Sequence, residues 1–299
     1  MINRWSDHDA AEFLARLTPH WGEPLALRTY TSQLLGAEKG LVLHGGGNTS
    51  VKAKRRTLLG AEIPALFVKG SGWDLDRIEP EGFTALDLLP LQALVAMPAI
   101  DDAAMVNELL IRRFDAEAPT PSIETLLHAF LPHPYIDHTH ADAILALTNQ
   151  PDGEARIRDA LGDGVAILPY VHPGFDLAKA VSACHAAHPD CIGMVLLKHG
   201  LLTWGASARE SYEATIELVN RAETFIARAS KPIARTLRRI TTVNVARERY
   251  LEVAPRLRGA LALPTGNPDL PHARCVLLPV ITRETLNLVD AENGPEWAI

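Results

Sequence analysis

The chain has 299 residues, of which 47% are apolar and 22% charged, with a net charge of −7. This length and apolar content predict a folded core of one large domain, or one domain with an appendage, and exclude a disordered chain. No long basic tract marks a nucleic-acid surface, and no apolar run approaches the roughly 20 residues of a membrane span.

The first residues, Met1 to Asp7, carry no apolar secretory core. The cysteines, Cys184, Cys191 and Cys275, are too sparse and too odd in number for a disulfide framework. Both features lead to the expectation of a cytoplasmic protein. Cys184-His185-x-x-His188-x-x-Cys191 departs from the usual zinc-finger spacings, so it is read as ordinary structure.

Ser6 is placed to cap a first helix whose apolar positions include Phe13, Leu14 and Leu17. A second helix is expected over Leu25 to Leu35. Gly40 to Lys52 then reads as a short strand, a turn at Gly45-Gly46-Gly47, and another strand beginning near Asn48. Glycines permit close backbone approach, and Asn48, Thr49 and Ser50 follow with side-chain hydrogen-bonding groups. The loop lacks the Gly-Lys-Ser/Thr ending of a Walker A motif. Ala65 to Lys69 reads as a strand running into Gly70-Ser71-Gly72, a second small-residue loop suited to an anion or to a plain turn. A helix fits Asp101 to Phe114.

Pro119-Thr120-Pro121 interrupts the pattern, and Ser122 is placed to cap a helix from Ile123 to Phe130. Glu124 falls in its first turn, where the helix dipole favours a carboxylate whatever its role. Pro132 and Pro134 end that helix and lead into Tyr135 to His140, read as a strand. Period-2 alternation puts His138 and His140 on one face. His199 follows the apolar strand expected over Ile192 to Leu197, with Leu201 to Gly205 as its antiparallel partner. Two or three imidazoles and one carboxylate around an open position suit a catalytic Zn²⁺ or a similar metal. Asp137 and Asp142 are both candidates to receive a ring N–H and fix a histidine tautomer.

Val165 to Tyr170 reads as a short strand and loop, and Asp176 to Ala187 and Ala208 to Ala229 as helices. Beyond Pro232 the character changes. Arg235 to Leu257 is polar and helical, Pro264 to Pro271 is loop-like, and Cys275 to Ile281 reads as a strand. The division expected is a main domain over 1–230 and a C-terminal extension, 231–299, packed on it.

Gly47-Asn48-Thr49-Ser50, Gly70-Ser71-Gly72, Pro121-Ser122-Ile123-Glu124, His138-Thr139-His140 and His199-Gly200-Leu201 together resemble the class II aldolase/adducin family. The match in order and spacing runs over roughly residues 25 to 225. Within the family, the chain is most similar to the aldolase part of rhamnulose-1-phosphate aldolase/short-chain dehydrogenase proteins. It carries no Gly-x-Gly-x-x-Gly nicotinamide fingerprint. The resemblance implies an α/β fold, an α/β/α sandwich around a mostly antiparallel central sheet, and a homo-oligomer, with a tetramer favoured.

By position, the resemblance makes His138, His140 and His199 metal ligands, for Zn²⁺ or else Mn²⁺ or Co²⁺. Glu124 becomes the proton-transfer carboxylate and a candidate fourth ligand. Asn48, Ser71, Gly72 and Ser122 become substrate-phosphate contacts. Tyr170 becomes an assisting acid near a subunit border. The activity implied is that of a class II aldehyde-lyase. It would cleave a ketose 1-phosphate, rhamnulose 1-phosphate by preference, to dihydroxyacetone phosphate and an aldehyde through a metal-stabilised enediolate. The same site chemistry also serves a sugar-phosphate epimerase or decarboxylase, and a non-catalytic adducin-like binding domain is the alternative of a different class. One departure stands out: Ile123 occupies a position where family aldolases often carry a hydroxyl. Lys52 and Lys69 are the nearby cations expected to compensate.

Overall fold

The computed structural model describes residues 1–229, 241–273 and 276–290. The chain divides into two compact units, Met1–Ser230 and Lys231–Ile299.

In the first unit, α1 (Asp7–Trp21) is capped by the Ser6 side chain, which accepts from the Asp9 N–H. It leads into α2 (Glu23–Gly36) and the strands β1 (Asn48–Arg56), β2 (Glu62–Lys69) and β3 (Phe83–Asp87). The helices α3 (Leu88–Ala93), α4 (Asp102–Ile111) and α5 (Thr125–Phe130) precede β4 (Tyr135–Thr139). Then come α6 (Asp142–Thr148), α7 (Gly153–Leu161), β5 (Ala166–Leu168), α8 (Phe175–Ala187), β6 (Gly193–Leu196), β7 (Gly200–Gly205) and α9 (Ala208–Ala229).

These strands form one seven-stranded sheet in the order β3-β2-β1-β4-β7-β6-β5. Every pairing is antiparallel except β5 with β6. β4 lies at the centre, and all five of its residues are buried. Alternation along the strands feeds two cores. Val51, Phe67, Ala85, Tyr135, Val195 and Leu201 face one, packed with residues of α2, α6, α7 and α9. Leu66, Val68, Leu86, Ile136, Met194 and Leu202 face the other, packed with α3, α4, α5 and α8. The result is an α/β/α sandwich, with the period of 2 sending successive residues to opposite layers.

Several local expectations differ. Gly40 to Leu43 is not a strand. Its carbonyls receive the N–H groups of residues at the end of β4, His140 to Leu41 O and Asp142 to Gly40 O. α5 starts at Thr125, not Ile123, and Ser122 accepts from the Glu124 N–H before the helix begins. The amphipathic helix α7 carries buried Ile157 and Leu161 on one face.

In the second unit, α10 (Val243–Ala260) is capped by Thr242, and a small hairpin joins β8 (Pro264–Asn267) to β9 (Leu270–His272). α11 (Arg283–Val289) starts with a capping box between Thr282 and Thr285. The expected loop at Pro264 to Pro271 is therefore a hairpin. The expected last strand is also absent: Val276 to Ile281 is irregular, while Cys275 lies outside the described residues. So does the basic run Arg235 to Arg239. Among the described residues, no helix is long and apolar enough to cross a membrane.

Candidate metal centre

The site forms where the central strands end. In the β1–β4 ladder Asn48 pairs directly with His138, and in the β4–β7 ladder Thr139 pairs with Leu201. His138 and His140, two residues apart, therefore emerge beside the start of β1 and beside the β6–β7 turn that carries His199. That turn is tight. Lys198 adopts a left-handed backbone, φ 61°, and the His199 N–H bonds Leu196 O at 3.0 Å. Such a conformation is costly for a residue with a side chain, and it presents His199 to the cluster. A Cβ on Gly200 would fall 2.4 Å from Thr139 O, so only glycine lets the turn close this tightly on β4.

The three histidines offer ligand atoms all within 4.8 Å of one another. His138 Nε2 lies 3.1 Å from His140 Nε2. Two nitrogens each about 2.0–2.1 Å from a tetrahedral Zn²⁺ would stand about 3.3 Å apart, close to this separation. His138 Nδ1 lies 3.1 Å from Leu201 O. A carbonyl only accepts, so Nδ1 carries the hydrogen and Nε2 presents its lone pair to the cluster, as a metal ligand must. Burial, opposed by nearby Glu124, pushes His138 down to about 4, which keeps the ring neutral. Burial and His199 likewise lower His140. The expectation that Asp137 or Asp142 would receive a ring N–H is thus not met at His138, where a backbone carbonyl takes that place.

Glu124 closes the cluster. Its Oε1 lies 3.1 Å from His199 Nε2 and its Oε2 3.5 Å from His138 Nε2. Asn48 Nδ2 donates to Oε2 at 2.7 Å. Burial opposes ionisation of Glu124, but His138, His199 and the Asn48 amide outweigh it and hold the carboxyl well below the ordinary range. Among the described residues, Glu124 Oε1 and His199 Nδ1 are buried without a well-aligned hydrogen-bond partner. An acceptor-only oxygen left open beside convergent imidazole nitrogens fits a cation site. The residues present therefore suit a divalent metal.

The remaining predicted residues separate. Ser122 Oγ lies 3.4 Å from Asn48 Nδ2, so Asn48, Ser122 and Glu124 come together. The Ser71 N–H bonds Thr120 O at 2.7 Å, which ties the Gly70-Ser71-Gly72 loop to the segment just before Ser122. Gly72, at φ 87°, leaves open space around its Cα. Tyr170 is 56% exposed. The two lysines are held by backbone carbonyls. Lys52 Nζ donates to Leu131 O and His133 O, at 2.5 and 2.8 Å, and burial pushes it down to about 7. Lys69 Nζ donates to Gly45 O at 2.8 Å and anchors the glycine loop instead.

Sequence reasoning missed two supports. Arg28 is fully buried, with Nη2 2.6 Å from Asp137 Oδ1, immediately before His138. His128 is fully buried behind Asn48, with its Nε2 2.5 Å from Asn48 Oδ1. The available signal for His128 was its spacing, one helical turn after Glu124.

The sandwich brings three imidazoles, with a carboxylate beside two of them, to the ends of its central strands, a donor set that suits a divalent metal. The chain belongs to the class II aldolase and adducin family: the Class II Aldolase and Adducin N-terminal domain matches residues 28–226. It is 39% identical over 197 residues to a Bacillus subtilis (strain 168) protein described as the uncharacterized oxidoreductase YuxG, covering 66% of this chain and 29% of that relative. The chain thus spans under a third of that relative's length. The N-terminal class II aldolase domain of a conserved Thermoplasma acidophilum protein is 41% identical, with a TM-score of 0.68, covering 76% of this chain and 99% of that one. A Thermotoga maritima sugar-phosphate aldolase shares the fold at 15% identity, with a TM-score of 0.52 and coverage of 69% and 97%.

Proposed function

We propose that this chain is a metal-dependent aldolase that cleaves a ketose 1-phosphate, with rhamnulose 1-phosphate the preferred candidate, to dihydroxyacetone phosphate and an aldehyde. The observation that carries the reading is the convergence of His138, His140 and His199, with Glu124 beside His138 and His199. His138, His140 and His199 would hold the cation, Zn²⁺ or else Mn²⁺ or Co²⁺. Bound there, it supplies Lewis-acid stabilisation of the negative charge that develops on substrate oxygens.

The chain's own groups do the rest. Breaking the C3–C4 bond leaves its electron pair on C3 and turns C4 into the aldehyde carbon; the C4 hydroxyl proton passes to water, and C3 takes up a proton in return. Glu124 Oε1 is the atom that moves a proton to or from C3. Asn48 and Ser122, with Ser71 and Gly72 in the adjoining loop, are the groups proposed to hold the phosphate and so position C3. Ile123 removes one hydroxyl from that cradle. In this reading the protein works as a homo-oligomer, tetramer favoured, and exposed Tyr170 serves as an acid near a subunit border.

The test is product analysis with a panel of ketose 1-phosphates. Release of dihydroxyacetone phosphate and an aldehyde, abolished by chelation and restored by Zn²⁺, is the expected result. An intact epimerised skeleton, or release of carbon dioxide from a sugar-acid phosphate, would replace the aldolase reading by its alternatives.

A further inference from the structure

We propose that His128 is a positioning residue: acting through Asn48, it fixes which oxygen of Glu124 is free to carry the proton. This rests on the reading of Glu124 as the proton-transfer carboxylate. One buried hydrogen-bond chain, from Ser50 through His128 and Asn48 to Glu124, has a fixed polarity.

An ionised carboxylate only accepts, so the contact of Asn48 Nδ2 with Glu124 Oε2 at 2.7 Å has the amide nitrogen as donor. That orients the Asn48 amide and turns its Oδ1 toward His128 Nε2, 2.5 Å away. An amide oxygen cannot donate, so His128 carries its hydrogen on Nε2. In a neutral ring Nδ1 is then an acceptor, and the Ser50 hydroxyl, 2.8 Å away, donates to it. Burial pushes His128 down to about 3, in keeping with a neutral ring. Every member from Ser50 to Glu124 thus has one consistent direction.

Reversing the Asn48 amide would place its NH₂ against the His128 N–H and its oxygen against the carboxylate. Two repulsive contacts oppose the flip, and His128 supplies one of them. The consequence falls on Glu124. Its Oε2 accepts from Asn48, whereas Oε1, 3.1 Å from His199 Nε2, has no well-aligned hydrogen-bond donor among the described residues. A proton exchanged with substrate is therefore directed to Oε1, on the His199 side of the cluster. Among the described residues the hydrogen-bond partners of the His128 ring are Ser50 and Asn48, so it acts by holding Asn48.

A buried histidine that merely satisfies itself predicts something different. The test compares His128→Gln with His128→Met in the Zn²⁺-loaded protein. Gln can place an amide N–H near the former Nε2, while Met of similar bulk cannot donate. His128→Met should lower kcat by about 10–100-fold, and His128→Gln should stay within about threefold of wild type, in line with the usual effect of groups that orient a metal site. Equal losses in both variants, or no loss in either, would overturn the proposal. A second readout needs no turnover: ¹⁵N NMR of histidine-labelled protein should show His128 as the Nε2–H tautomer. An Nδ1–H or cationic ring would overturn the proposal even if both variants behaved as expected. If wild-type protein shows no lyase activity, the proposed function fails, and the tautomer still decides the polarity of the chain.

Discussion

Arg28→Met is expected to destabilise the first unit far more than an average substitution. Arg28 and Asp137 are both fully buried, with the guanidinium 2.6 Å from the carboxylate. Arg28 Nη1 also donates to the carbonyls of Ser50 and Ile136, at 3.4 and 3.5 Å, and so binds β1 to β4 behind the site. Burial pushes the Asp137 carboxyl up, against the pull of Arg28 and Ser211. With Arg28 gone, the Ser211 hydroxyl alone would face that carboxylate. Removing one partner of a buried ion pair costs about 3–5 kcal/mol, against a total stability of about 5–15 kcal/mol for a folded domain. The assay is equilibrium urea unfolding of wild type, Arg28→Met, Asp137→Leu and the double variant. The double variant should lose much less than the sum of the two, because no buried charge is left unpaired. A loss under about 1 kcal/mol in Arg28→Met, or strictly additive losses, would refute the argument.

Other consequences follow from the same geometry. Glu124→Gln should lower kcat by about 10²–10⁴-fold, the usual contribution of a positioned acid–base group, while the three histidines still retain metal by elemental analysis. Gly200→Ala should destabilise by about 1–3 kcal/mol and weaken metal binding, as an overpacked site must shift. Its new Cβ would meet Thr139 O at 2.4 Å and atoms of His138 and His140 at 3.1 Å. Gly164→Ala, where a Cβ meets nothing within 4 Å, is the control and should unfold like wild type. Acid should also destabilise the fold through His128. Its folded pKa of about 3 lies below the unfolded value, so its stabilising contribution is whole above pH 6.5 and is lost as pH falls toward 3. Unfolding at stepped pH should show a slope of up to about 1.4 kcal/mol per pH unit that shrinks in His128→Gln.

The parts of the site that could be read from the chain alone were those carried by short-range pattern. A period of 2 puts His138 and His140 on one face, and a tight turn after an apolar strand delivers His199. The supports were not legible, because they depend on which strands become neighbours. Asn48 stands opposite His138 only because β1 pairs with β4 in that register. Arg28 reads locally as one more polar position of a helix, and only the assembled layers bury it against Asp137. The same holds for Lys52 and Lys69, whose charges looked available but are bound to backbone carbonyls. In the second unit, the apolar run ending at Ile281 suggested a strand. A strand needs a partner edge, and among the described residues none pairs with 276–281 in a ladder. Turn residues between Pro264 and Pro271 masked a short hairpin for the converse reason: its pairing, not its composition, defines it.

The most direct test of the central claim is the metal content of the purified protein, measured for wild type and for the double variant His138→Ala/His140→Ala. The account predicts about one divalent ion per chain after reconstitution with Zn²⁺, and loss of that ion in the variant. A wild-type protein that binds no metal, or a double variant that binds it equally well, would contradict it.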